Sequence, residues 1–347
     1  MAQRLADKPS VTKERIETRP EGVGRLRRVL GILVILVGAI FVVVTLWQSL
    51  FTVGPAFEEL TDDFRPILTD EALAQAGDDI ADLAAVAEEI PTALFPALSE
   101  ALGLSPEELQ SFVGENFPAV ATGVAALPDI TTTFDGLVVL LADQQEVFAS
   151  ADAIPTQDIP ATSIPWGLTI AGILVIVAGA LMLRPGKAGA ITAIVVGAGL
   201  VIGPLVLSLT SKAADADQMN ENLYPVYTQE LVTGAYGALD TVGAMGEEMQ
   251  TAMLPALAEQ LQMAPEHVNA FLGQFPATAA ALQELPDKLV RFDGLVTTFD
   301  NNLENYDTMH PVSFAPIIWM VVIGGAVVLV LGIWLFVANR RAGATAA

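Results

Sequence analysis

The chain has 347 residues, a formal net charge of −24 and 53% hydrophobic residues, with a mean hydropathy of +0.54. That hydropathy is too high for an ordinary soluble enzyme, and the acidic balance argues against a nucleic-acid-binding protein. The chain contains no cysteine, so any folded region outside the membrane is stabilised by packing and not by disulfides.

The chain opens with a basic leader, residues 1–28, which carries eight of the sixteen Lys and Arg residues. Its high charge and low apolar content before residue 29 predict a disordered segment. Basic residues of this kind are explained by membrane topology and by attraction to anionic lipid. We therefore assign residues 1–28 to the cytoplasm.

Four uncharged apolar stretches follow, and each reaches the roughly 20 residues that a membrane-spanning helix needs. They are residues 29–53, 164–183, 188–209 and 314–338. The first is too long for a cleaved signal peptide and is interpreted as an uncleaved signal anchor. The sequence therefore predicts an all-α integral membrane protein with four transmembrane helices.

Charge sets the expected orientation of these spans. Twelve Lys and Arg residues lie in the leader, in the turn 184–187 and in the tail 339–347, whereas 36 of the 40 Asp and Glu residues lie in the long loops 54–163 and 210–313. The positive-inside rule places both termini and the short turn in the cytoplasm. The composition suggests a bacterial plasma membrane, with both long loops outside it.

The chain also repeats itself. With an offset of 159 residues, 10 of 22 positions from Thr92 to Val113 are identical to their counterparts, and with an offset of 158, 12 of 22 from Phe117 to Val138 are identical. We interpret the chain as a tandem duplication whose unit is span, external domain, span. Copies with the same membrane orientation are expected to be related by a pseudo-twofold axis along the membrane normal.

Each loop is expected to fold as an all-helical domain. The apolar residues from Leu285 to Tyr306 recur with the helical period of 3.6 and predict a long helix that starts near Asp287; Asp129 marks the corresponding start in the first copy. Ser105 and Glu108 predict a capping box at the start of another helix. No segment shows the alternation typical of a strand.

A Phe-Asp-Gly step recurs inside these long helices, as Phe134, Asp135 and Gly136 and as Phe292, Asp293 and Gly294. The phenylalanine lies on the apolar stripe and the glycine on the opposite face, where a mid-helix glycine costs about 1 kcal/mol relative to alanine. The step is either inherited from the duplicated ancestor, or causes a slight kink, or marks a contact with the other repeat, another subunit or a ligand. All six residues are candidate helix-contact positions.

Small residues in the spans are candidates for close packing of transmembrane helices. Six glycines are singled out, because of a GxxxG spacing or because a seven-residue spacing recurs in both copies: Gly172, Gly179, Gly199, Gly203, Gly325 and Gly332.

No catalytic, cofactor-binding or metal-binding residue is predicted. The spans contain no ionisable residue, which argues against a proton or ion relay. The chain has no catalytic motif, and His267 and His310 are not counterparts of each other, which argues against a zinc site. The acidic pairs Glu88/Glu89 and Glu247/Glu248 are counterparts, but adjacent helical residues point too far apart to chelate an ion alone.

These observations lead to the expectation of a non-enzymatic protein of the bacterial cell envelope. It would present paired acidic helical domains to a protein partner or to a second copy of itself, and membrane lipid would be its other contact. The alternatives are an extracytoplasmic sensor or receptor that lacks its own output domain, and an accessory component for transport of a lipid or apolar solute.

Overall fold

The computed structural model describes residues 21–156, 159–262 and 264–344, and every regular element within these ranges is a helix. In chain order the α-helices are α1 (Glu21–Trp47), α2 (Leu50–Phe64), α3 (Asp70–Glu89), α4 (Phe95–Leu102), α5 (Pro106–Asn116), α6 (Pro118–Asp152), α7 (Ser163–Leu183), α8 (Ala188–Val206), α9 (Leu209–Leu223), α10 (Gln229–Glu248), α11 (Leu254–Gln260), α12 (Pro265–Leu272), α13 (Pro276–Asn301), α14 (Leu303–Met309) and α15 (Phe314–Ala344). The π-helices Ile90–Leu94 and Met249–Met253 follow α3 and α10. The predicted all-α class is confirmed.

Within the described ranges, five helical regions are long and apolar enough to cross a membrane, which makes this a candidate multi-pass membrane protein. Four of them overlap α1, α7, α8 and α15, and they also overlap the four predicted spans. The fifth is α6, whose 35 residues include the first Phe-Asp-Gly step. It was not predicted as a span, because its apolar residues are interrupted by acidic ones.

Several helix boundaries differ from the predicted spans, most of all those of α1 and the end of α8. The helix α1 begins at Glu21 and ends at Trp47, so the last eight residues of the predicted disordered leader are helical, while residues 1–20 lie outside the described ranges. The chain then breaks at Ser49, whose φ of 51° is left-handed. Its counterpart Ser208, with φ 54°, makes the same break after α8. The apolar stretches run on past both breaks, which hydropathy alone does not detect.

The chain divides into two compact units. The first contains residues 1–44, 167–204 and 320–347, and thus most of the four predicted spans. Its interior holds an apolar cluster contributed by all four helices: Leu30, Val34, Phe41, Val175, Ala178, Met182, Ala190, Ala193, Val328 and Leu335.

The second unit contains residues 45–166 and 205–319. The sequence suggested a separate domain for each long loop, but here the helices of both loops share one compact unit. In particular, α6 packs against α3 of its own loop and against α9 and α10 of the other, and α13 packs against both α10 and α3. Packing between the loops is a tertiary property that local patterns do not report.

The helices of the two loops appear in the same order. Both α2 and α9 have 15 residues, and both α3 and α10 have 20 residues and lead into a five-residue π-helix. The long helices α6 and α13 follow, with 35 and 26 residues. They begin at Pro118 and Pro276, about ten residues before the predicted starts.

The early starts have a local cause. Each helix has a proline among its first residues, where the missing N–H needs no partner. A second proline, Pro128 or Pro286, then lies inside the helix. In α6 the hydroxyl of Thr131 donates to Leu127 O and Pro128 O, and that of Thr132 donates to Pro128 O, next to the interruption.

Candidate functional site

The two Phe-Asp-Gly steps meet inside the second unit. The rings of Phe134 and Phe292 lie edge to face with centroids 5.3 Å apart, and both side chains are buried. The neighbouring Asp135, Gly136, Asp293 and Gly294 are exposed. A methyl group added at either glycine would meet no heavy atom of the described residues within 4 Å. The phenylalanines thus join the two loops, while the space beside each glycine is open.

A pair of glutamates caps the two long helices across the loops. The carboxylate of Glu89, at the end of α3, accepts hydrogen bonds from the backbone N–H groups of Ala277 (3.3 Å) and Thr278 (2.7 Å) at the start of α13. Its counterpart Glu248, at the end of α10, accepts from the N–H of Val120 (2.8 Å) at the start of α6. Each loop therefore supplies the negative charge that the first turn of the other loop's long helix favours.

A second pair of counterpart carboxylates caps the helices that leave the loops. Glu58 in α2 accepts from the N–H of Thr162, just before α7, at 3.1 Å. Its counterpart Asp217 in α9 accepts from the N–H groups of Phe314 (2.6 Å) and Ala315 (3.0 Å) at the start of α15. Capping carboxylates account for part of the acidic excess.

A buried ion cluster lies between α3 and α13. The Asp79 carboxylate accepts from Nε (2.7 Å) and Nη2 (2.8 Å) of Arg291 and from Nζ of Lys288 (3.2 Å). The Asp79 and Lys288 side chains are each only 2% exposed. Asp82 and Glu284 also contact Lys288 and are exposed.

Burial opposes both charges of the Asp79–Lys288 pair, but the hydrogen bonds outweigh it. Burial alone would raise the pKa of Asp79, whereas the bonds from Arg291 and Lys288 hold it below its usual value. Burial likewise disfavours the charged Lys288 side chain, whereas the bonds to Asp82, Asp79 and Glu284 raise its pKa. Both side chains therefore carry their charges at neutral pH.

The aligned positions at the interface between α10 and α6 carry no such charges. The counterparts of Asp79, Lys288, Arg291 and Asp82 are uncharged: Ala238, Ile130, Thr133 and Thr241. The α3–α13 interface and the α10–α6 interface thus differ in polarity, although they are formed by counterpart helices.

Next to the ion cluster, a cleft of about 470 Å³ opens between α3 and α13, with residues of α6 also contributing to its lining. The lining is mostly apolar and includes Gly294, with Asp63, Gln75, Asp79, Arg291 and Thr298 as its polar members. A volume of this size lies within the range of small-molecule sites. It is the candidate binding site of this unit.

In the first unit, some of the predicted glycines lie where two helix backbones approach closely. A methyl group added at Gly172 would lie 2.9 Å from Gly38 O, and one at Gly179 would lie 2.8 Å from Gly31 O. Likewise, a methyl group at Gly325 would lie 3.1 Å from Gly197 O, and one at Gly332 would lie 3.0 Å from the backbone N of Ile194. These contacts pair α1 with α7 and α8 with α15.

The remaining predicted glycines are placed differently. A methyl group added at Gly199 or Gly203 would meet no heavy atom within 4 Å among the residues that the structure describes. The GxxxG spacing therefore does not mark a helix contact within this part of the chain. The partners Gly31, Gly38 and Gly197 were missed, although Gly31 and Gly38 have the same seven-residue spacing as Gly172 and Gly179.

The histidines do not form a metal site in the described ranges, where no cluster of three or more His, Cys, Asp or Glu could hold an ion. Instead, His310 stacks on Tyr224 with centroids 4.3 Å apart, and its Nδ1 lies 3.2 Å from Asn220 Oδ1. His267 is exposed.

Sequence patterns did not predict the caps or the ion cluster, because the residues that form them are far apart in the chain. One signal was present for the caps, since Glu89 and Glu248 occupy aligned positions and a proline helix start occurs in each loop. For the ion cluster, the signal was the scarcity of basic residues in the loops. The chain matches no family model, no curated protein and no solved structure with which it was compared.

Proposed function

We propose that this chain is a non-enzymatic protein of the bacterial cell envelope that presents an acidic helical unit outside the plasma membrane to a protein partner. Four spans, α1, α7, α8 and α15, would hold the unit, with both termini in the cytoplasm. The two loops would be copies of one duplicated module related by a pseudo-twofold axis. The matching order of helices and the glycine contacts at counterpart positions support that duplication.

The observation that carries this proposal is the way in which the loops are joined. Glu89 and Glu248 cap helices of the opposite loop, and Phe134 contacts Phe292. Such cross-connections favour one rigid body over two mobile domains. Because 36 of the chain's 40 acidic residues lie in the loops, this body offers a strongly negative surface.

A photo-crosslinking test addresses the proposal directly. A photoreactive amino acid would replace Asp135 or Asp293, which are exposed counterparts in the second unit, in cells that make the full chain. We expect both positions to crosslink a discrete protein. The yield should fall as salt is raised, because exposed charges are screened within about 8 Å at physiological ionic strength.

A matched position in α8, Val195, which is 65% exposed, controls for contact with lipid and bystanders. Crosslinks between two tagged copies of the chain would identify a homo-oligomer as the partner. Crosslinks to lipid alone, or the same products from Val195, would contradict the proposal.

The cleft supports a second candidate, an accessory component for the transport of an apolar solute. Its volume of about 470 Å³ and its mostly apolar lining would suit a small apolar molecule. Solute binding that is required for uptake, in cells that still show the protein crosslink, would favour this function.

A further inference from the structure

The lining residues of the cleft between α3 and α13 follow one helix, and the cleft is called the channel below. Its lining residues on α13 run from Val290 to Thr298, which is a helical length of about 12 Å. The opposite wall is α3, from Ala72 to Asp79, and Val138 and Leu141 of α6 also line the space. Such a space accommodates the length of a medium hydrocarbon chain.

The wall of the channel is largely apolar. Leu73, Val138, Leu141 and Leu295 line it, and Gly294 contributes no side chain. A methyl group added at Gly294 would meet no heavy atom within 4 Å among the described residues, so the glycine keeps this part of the channel wide. Apolar contact is therefore available to a ligand along the wall.

The two ends of the channel carry different charges. At one end, the charge of Arg291 is compensated by Asp79 through two hydrogen bonds, from Nε at 2.7 Å and from Nη2 at 2.8 Å. At the other end, Asp63 is exposed, and its Oδ2 accepts from the neutral amide of Asn302 at 2.8 Å. Asn302 follows Arg291 by eleven residues, which is about 16 Å along the helix.

The charge of Asp63 is specific to this half of the unit. Its counterpart is Asn222, whose amide donates to Gln144 Oε1 at 2.9 Å, and Gln144 is the counterpart of Asn302. A side-chain hydrogen bond thus joins the aligned residues in both cases, but only the pair beside the cleft includes a carboxylate. The surrounding unit contains 36 acidic and four basic residues, so its field draws cations and repels anions.

We propose that the cleft binds a small amphipathic cation, with its ammonium group at Asp63 and its hydrocarbon body along Leu73, Leu141 and Leu295. Asp79 compensates Arg291, so that the opposite end of the channel does not repel this ligand. The inference goes beyond the proposed function, because it concerns a small molecule and does not require the protein partner.

The test measures binding to purified full-length protein in nanodiscs of zwitterionic lipid. The probes are octyltrimethylammonium, octyl sulfate and octanol, which share a chain length and differ in head charge. We expect saturable binding of the cation, about one per chain, and much weaker binding of the other two. Absence of cation binding, or equal binding of all three probes, would overturn the proposal.

Two matched pairs of variants locate the site. Asp63→Asn copies the residue that Asn222 supplies in the other half, and it should weaken cation binding about fivefold to tenfold, whereas Asn222→Ala should leave it unchanged. Gly294→Leu should fill the channel and weaken binding, whereas Gly136→Leu, at the counterpart position, should not. Binding that survives Asp63→Asn unchanged, or that responds equally to both leucines, would place the cation elsewhere.

Discussion

The basic side chains of the second unit show how an acidic protein uses its few cations. There are four in this part of the sequence, and each joins separate segments. Arg65 bonds Asp152 at 2.8 Å, and Lys212 donates to the carbonyl oxygen of Ala153 at 2.8 Å. Lys288, which is buried, and Arg291, which is 43% exposed, form the ion cluster with Asp79. We infer that these residues act in stability and not as a surface for anionic partners.

The ion cluster leads to a prediction about single and combined substitutions. Asp79→Ala removes the buried carboxylate that Lys288 and Arg291 share and should destabilise the protein by about 3 kcal/mol. The triple variant Asp79→Ala, Lys288→Ile, Arg291→Thr copies the counterpart residues Ala238, Ile130 and Thr133 and should recover much of that loss. Thermal midpoints of the purified full-length variants in one detergent check both results. A triple variant no more stable than Asp79→Ala would contradict this account.

The same cluster sets a pH window for its contribution to stability. The pKa of Asp79 is lowered in the folded protein, so its contribution is present above the unfolded value of about 3.9 and is lost as pH falls through the lower folded value. The pKa of Lys288 is raised, so its contribution is present below about 10.4 and is lost as pH rises through the folded value. The stability difference between wild type and the triple variant should therefore be constant from about pH 5 to 9.

At this scale the sequence predicted only local contacts. The capping box of Ser105 and Glu108 is confirmed, with hydrogen bonds of 2.9 and 3.3 Å, because its members lie three residues apart. The Asp79–Lys288 pair joins residues 209 positions apart. No periodicity or motif predicts a pair so far apart in the chain, and only the tertiary structure identifies it.

At the scale of the helices, contacts at the helix ends join the two loops, just as contacts between buried faces do. The long helices α6 and α13 begin at an aromatic residue followed by proline, and neither has a side-chain cap from its own N-cap residue. The cap comes instead from the other loop, through Glu248 and Glu89. The sequence pattern placed the starts at the internal prolines Pro128 and Pro286; the N-terminal prolines mark the true starts locally, and the carboxylates of the other loop add the caps that no local pattern predicts.

Removing the cross-loop caps should destabilise the second unit. Glu89→Gln and Glu248→Gln each replace a charged acceptor at a helix N-terminus with a neutral one, and we expect each to cost about 1 kcal/mol. The neighbouring Glu88 and Glu247 are exposed, so Glu88→Gln and Glu247→Gln are matched controls with the same charge change.

Thermal midpoints and hydrogen exchange at the starts of α6 and α13 check this prediction. We expect faster exchange at Ala277 and Thr278 in Glu89→Gln and at Val120 in Glu248→Gln. Equal effects of the cap variants and their controls would show that net charge, and not capping, is responsible.

For the whole molecule, hydropathy predicted the helices that could span a membrane, because long apolar helices are recognisable in any window. It did not predict α6 as a span, although α6 meets the same criteria of length and composition and belongs to the second unit. Nor did the pattern show that both loops share one compact unit, since each loop alone is long enough for its own core. Composition does not predict whether the two loops pack against each other.

Sidedness can be measured cleanly because the chain has no cysteine. Single cysteines would be placed at the exposed residues Glu115, Asp143, Asp293 and Lys187. With four spans, a membrane-impermeant maleimide should label the first three positions in intact cells and Lys187→Cys only after permeabilisation. Labelling of Glu115→Cys and Asp143→Cys from opposite sides would make α6 a span and would reverse the expected topology.

The reciprocal caps also constrain how the chain is made. The N–H groups that Glu89 caps lie 188 and 189 residues further along the sequence. When the ribosome has completed the first loop, that loop still lacks the partner for its glutamate and the helices against which α6 packs. Its final structure therefore waits until α13 has emerged, and during this interval its apolar surfaces depend on chaperones or on the membrane surface for protection.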